Sequence, residues 1–114
     1  MNMLEGFWRI NYMTAMRSGM AVIIIKEKNL IGADSHGNHW DGHYKFNNDS
    51  TAAFTFNVHY TNGMSILSEN AIQKSSHQKF EVILPEDIIE DKIYTSDAVG
   101  DTLVYIVFNK LRPF

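Results

Sequence analysis

Phe54, Phe56, Val58 and Tyr60 alternate with Thr55, Asn57 and His59, and shorter runs of the same two-residue rhythm recur from residue 4 to residue 110. Side chains alternate across a β-strand, so each run offers one apolar face to a core and one polar face to water. The first run sets Gly6, Trp8, Ile10 and Tyr12 against Phe7, Arg9 and Asn11. Residues 19–25 are apolar on both faces, and Lys26-Glu27-Lys28-Asn29 supplies a turn before Leu30-Ile31, the return limb of a hairpin. After the turn cluster 32–38, Trp40, Gly42, Tyr44 and Phe46 alternate with His39, Asp41, His43 and Lys45.

Asn47-Asn48-Asp49-Ser50 is a turn signal at hairpin distance from the strand 53–60. Residues 64–67 suit a short strand and 68–78 have loop composition, before Phe80, Val82 and Leu84 restore the alternation. Pro85 followed by Glu86 and Asp87 predicts one helical turn over 85–90, because proline suits the first helical position and acids suit a helix start. Strands at 92–96 and 102–110 bring the count to about eight. Eight antiparallel strands close into a barrel whose interior is filled by side chains or holds one small ligand. The expected architecture is all-β, an antiparallel lipocalin-like barrel with at most one short helix, spanning residues 1–114 as a single domain.

Ten Lys plus Arg against thirteen Asp plus Glu give a net charge of −3. That balance argues against direct nucleic-acid binding and against attraction to an anionic membrane. The longest apolar run, Met20 to Ile25, is far below spanning length, and the opening residues lack the basic, apolar and small-residue sections of a signal peptide. There is no cysteine, so thiolate zinc sites and thiol nucleophiles are excluded, and a cytoplasmic location is expected.

Nothing spells out catalysis: there is no nucleophile elbow, no phosphate-cradling glycine loop and no triad segment. The expectation is a non-enzymatic binder without a cofactor. His39, Asp41 and His43 project from one side of their strand, with His36 nearby, a set that suits a metal ion. Same-face neighbours along a strand sit roughly 6 to 7 Å apart, however, so these residues read as the wet partners of Trp40, Gly42 and Tyr44, and no metal is expected.

Three sets of residues carry binding potential. Trp8, Tyr44, Phe54, Phe56 and Phe80 would line a lumen, which suits a small apolar ligand. Glu81, Glu86, Asp87, Glu90, Asp91, Asp97 and Asp101 crowd residues 81–101 against one Lys92, a docking patch for a basic partner. Finally, Met20, Val22 and Ile24, and Val104, Ile106 and Phe108, lie on strands that are apolar on both faces. The surplus face of each needs a cover, and a homodimer interface is the expected one.

Gly6-Phe7-Trp8 and the late Arg112 resemble the calycin pattern, in which a first-strand Trp packs beneath a late Arg. More of the chain resembles the GrlR-like family of negative regulators of bacterial type III secretion. The resemblance runs through Glu5-Gly6-Phe7-Trp8-Arg9-Ile10, Ile31-Gly32-Ala33-Asp34 and Trp40-Asp41-Gly42-His43-Tyr44. It continues through Phe56-Asn57-Val58-His59-Tyr60, Ser65-Ile66-Leu67 and Phe80-Glu81-Val82-Ile83-Leu84-Pro85, so it covers about residues 4 to 90.

That resemblance implies a dimeric lipocalin-like barrel that controls secretion genes by sequestering a transcriptional activator, a basic helix-turn-helix protein, rather than by touching DNA. The hairpin 47–50 departs from the family's more acidic one and keeps only Asp49. Glu86, Asp87, Glu90 and Asp91 are the expected replacements. Partner recognition is therefore expected at Asp49 and at these four acids.

Overall fold

A computed structural model describes residues 4–15, 17–60, 77–97 and 103–113. Eight strands follow one another: β1 (Gly6–Met13), β2 (Ser18–Lys26), β3 (Asn29–Asp34), β4 (His39–Phe46), β5 (Thr51–His59), β6 (His77–Pro85), β7 (Ile93–Thr95) and β8 (Tyr105–Arg112). They form one antiparallel sheet in the order β6-β5-β4-β3-β2-β1-β8-β7. The sheet curls into a nearly closed barrel, which brings the two edge strands, β6 and β7, to a common seam. There Asp97 donates its backbone N–H to the Glu81 carbonyl at 2.8 Å and accepts the Glu81 N–H on Oδ1 at 2.6 Å.

The β2–β3 hairpin closes through Glu27 and Lys28, both at positive φ (53° and 67°) between the paired residues Lys26 and Asn29. Mirror-image turns of this kind match the right-handed twist of the flanking strands, even where no glycine supplies the conformation. Gly42 answers a different demand. A Cβ there would overlap the Thr55 carbonyl oxygen, so only glycine lets β4 lie this close to β5 where the sheet bends.

The core is a column of rings. Tyr44 stacks on Phe54 at 5.0 Å between centroids and Phe56 on Phe80 at 5.2 Å, while Trp40 meets Phe56 and Phe80 edge-on. Trp8 meets Phe108 edge-on at 6.3 Å. Each of these side chains is buried, contributing roughly 1.5–3 kcal/mol by removal from water. The alternation in 54–60 is thus the origin of β5, whose inward residues Phe54, Phe56 and Val58 are wholly enclosed.

Two expectations are overturned by this packing. Residues 85–90 form no helical turn: Pro85 stays in β6 opposite Thr51, and the Glu86 N–H bonds to the Ser50 carbonyl at 3.0 Å. Among the described residues there is no helix. Val104, Ile106 and Phe108 do not form an outer flank, because Ile10 pairs with Phe108 and Tyr12 with Ile106, which turns this face of β8 into the core. The outward face is Leu103, Tyr105 and Val107. The strand expected over 64–67 lies outside the described residues, as does the loop expected over 68–78 except at His77 and Gln78, which belong to β6 and pair with His59 and Val58.

Candidate functional site

The five residues expected to line a lumen, Trp8, Tyr44, Phe54, Phe56 and Phe80, are brought together as expected, but they pack ring on ring inside the barrel. Trp8 donates its indole N–H to the Leu4 carbonyl at 2.8 Å. Its ring is covered by Lys110, whose Nζ lies 5.7 Å from the centroid, and not by Arg112. A bulge between the Phe7 and Trp8 pairings slips β8 by one residue: Phe7 faces Arg112 while Trp8 faces Lys110. Lysine keeps the cation over the aromatic face that the calycin pattern assigns to arginine.

At the end of the barrel where β5 starts and β6 ends, the acids separate by role. The Glu86–Ser50 hydrogen bond joins the 47–50 turn to the segment after β6, so Asp49, Glu86 and Asp87 share one stretch of rim, all three exposed. Asp49 accepts the Thr51 hydroxyl and, at 3.3 Å, the Thr51 N–H. The hydroxyl above all holds its carboxyl below the usual carboxylate range, so this charge persists into mild acid.

Glu90 and Asp91 act differently. Glu90 accepts the Lys110 N–H at 3.0 Å and Asp91 accepts the Asn109 amide at 2.9 Å, so both tie the segment before β7 onto β8. The same end of the barrel carries Lys26, Lys28, Lys110 and Arg112 on the arc over β2, β3 and β8. The rim is therefore bipolar, with its acidic excess confined to the β5–β6 arc.

The outward residues of β2 match the expected flank. Met20 and Val22 are exposed and Ile24 half-buried; Ile24 sits opposite Ile31, which is 62% exposed. Around β1 this apolar surface meets Met13, Tyr105 and Ile93, which with Met20 line an outer groove of about 420 Å³.

Two polar clusters lay hidden in the sequence because they depend on register. Asp34 gathers the β3–β4 turn: it accepts the His36 and Asn38 N–H groups, each at 2.9 Å, and the Trp40 indole N–H at 2.8 Å. Tyr12 lies tilted against Trp40 with 5.3 Å between ring centroids, and its buried hydroxyl stands beside Asp34 without a hydrogen-bond partner. Burial, and then the negative charge of Asp34, push the Tyr12 pKa well above its ordinary value.

On the outer wall, β4 and β5 pair His39 with His59 and Asp41 with Asn57. His59 Nε2 lies 2.8 Å from Asp41 Oδ2, and Asn57 donates to Asp41 Oδ1 at 3.2 Å. Of the histidines singled out by sequence, His36 reaches back to the Ser18 carbonyl at 3.2 Å, while His39 and His43 stay exposed on the β4 wall. Among the described residues no three His, Asp or Glu side chains converge as a metal site. Nor, among them, is any helix long and apolar enough to cross a membrane.

No family model and no curated protein matches this sequence.

Proposed function

We propose that this chain is a non-catalytic regulator of the GrlR-like kind, which captures a basic transcriptional activator of type III secretion genes on its acidic rim and works as a cytoplasmic homodimer. The observation that carries this reading is the hydrogen bond from Glu86 to Ser50, which gathers Asp49, Glu86 and Asp87 onto one exposed arc. Clustered charge of one sign steers and holds an oppositely charged partner, and the depressed pKa of Asp49 keeps that charge in place. Glu90 and Asp91 fall outside the docking set, since both are committed to β8.

The self-association half of the reading draws on Met20, Val22 and Ile24 beside the exposed Ile31, an apolar sheet face of the sort that soluble monomers rarely leave bare. The test of capture is binding to a basic helix-turn-helix activator of type III secretion genes. Reversing Asp49, Glu86 and Asp87 together to lysine is expected to weaken the complex at least tenfold and to flatten its salt dependence. Unchanged affinity with an intact fold would remove the rim from the reading.

A further inference from the structure

We infer that two copies of this chain join about a two-fold axis running along the outer wall between β2 and β3, with Arg9 of each copy paired to the partner's Asp41. The inference rests on the homodimer reading above and gives that interface a register. Two rows of pairings cross the wall: Arg9 faces Val22 and Val22 faces Ala33, while Ile24 faces Ile31 and Ile31 faces Asp41. The apolar ridge of Val22, Ile24, Ile31 and Ala33 is therefore bounded by a cation on its β1 side and an anion on its β4 side.

These two charges do not satisfy one another within a copy. Arg9 and Asp41 stand three strand spacings and one two-residue step apart, about 16 Å. Arg9 is exposed, and its contact with Asn109 Oδ1 is long at 3.5 Å. The Asp41 side chain is 52% exposed, with one oxygen accepting from Asn57 and the other beside His59. A carboxylate offers about four lone-pair sites, so Asp41 retains capacity for a guanidinium.

A two-fold axis is the operation that this arrangement fits. An isologous interface sets one patch against itself, so residue i of one copy meets j of the other and j meets i. An axis in the plane of contact between β2 and β3 exchanges the β1 side of the patch for the β4 side. It gathers Val22, Ile24 and Ile31 of both copies near the centre and sets each guanidinium against the opposing carboxylate, twice per dimer. An axis along β1 would instead set Arg9 against its own twin, so charge selects the position over β2 and β3.

The experiment is sedimentation velocity on the full chain and on charge-reversed variants. Both positions are exposed, so Arg9→Glu and Asp41→Arg are expected to keep the fold, checked by circular dichroism. The parent is expected to be a dimer, and each single reversal should weaken self-association at least tenfold, because each sets like charges together at both contacts. The two variants mixed in equal amounts should associate with each other, since the mixed dimer has opposite charges at both contacts. The chain carrying both reversals should dimerise again for the same reason. A monomeric parent overturns the homodimer reading and this inference with it. A dimeric parent whose single reversals associate as tightly as it does, or whose mixed variants stay apart, overturns the pairing alone and leaves the homodimer reading standing.

Discussion

Asp34 Oδ2 accepts the indole N–H of Trp40 at 2.8 Å, so the carboxylate that organises the β3–β4 turn also anchors the largest ring of the core. Removing that acceptor strands the indole donor and the part-buried Asn38 N–H, while the exposed His36 N–H turns to water. An unsatisfied buried polar group costs about 1–3 kcal/mol. Asp34→Ala is therefore expected to destabilise the fold by about 2–4 kcal/mol, measured by urea denaturation.

The neighbouring Tyr12 hydroxyl gives the fold an alkaline limit. Its folded pKa is raised, so its contribution to stability is fully present below the unfolded value of about 10 and is lost as pH rises above it. Tyr12→Phe removes both the titration and the unpartnered hydroxyl. The variant is expected to match or exceed the parent at pH 7 and to lose distinctly less stability between pH 9 and pH 11, read as the shift in denaturation midpoint.

At the β2–β3 turn, two non-glycine residues hold positive φ, which favours replacement by a residue at home there. Glu27→Asn keeps the backbone N–H that bonds Glu5 at 2.8 Å and should stabilise by about 0.5 kcal/mol. Lys28→Gly relieves the same strain but loses the Lys28 ammonium over Phe46, 5.7 Å away, worth about 0.5–1 kcal/mol at an exposed site. Its net effect is expected near zero, and thermal melts of the two variants separate these terms.

Core and flank should respond in opposite ways to substitution. Phe56 touches the Phe54, Phe80, Trp40 and Phe108 rings, so Phe56→Ala is expected to cost about 3–5 kcal/mol. Ile31→Lys, on the exposed flank, should leave stability within about 0.5 kcal/mol while converting a dimer to monomers. Light scattering after size exclusion reads the mass directly; a parent protein that is already monomeric would remove the flank from the dimer reading.

The strands were legible wherever the polar positions broke the apolar ones into a phase. In 54–60 the interleaved Thr55, Asn57 and His59 set the phase and the inward set follows, although Thr55 is itself buried. In β8 both faces are apolar, so the period is visible but its phase is not. Only the pairing of Phe108 with Ile10 decides which residues enter the core. The bulge that puts Lys110 rather than Arg112 over Trp8 is one extra residue between strands about a hundred positions apart in the chain, beyond the reach of local pattern.

The candidate sites divide in the same way. Asp49 joins Glu86 and Asp87 because β6 pairs antiparallel with β5 and so ends beside the 47–50 turn from which β5 begins. Glu90 and Asp91 look identical to them in sequence, but their hydrogen bonds to β8 give them a structural task. The contact of His59 with Asp41 has no signature in the sequence, because the two residues lie on different strands and meet only through their register. The helix expected at Pro85 failed because the Glu86 N–H found a partner in Ser50.

The junction of Glu81 with Asp97 gives the cylinder a direction in which to part. Seven ladders bind each strand to its sequential or cyclic neighbour, whereas among the described residues the hydrogen bonds at the seam between β6 and the end of β7 are those of Asp97, through its main chain and its carboxylate. A tube rivetted at one stave unrolls from that line first, so thermal breathing should release solvent exchange at the Glu81 amide well before it reaches β1 or β2.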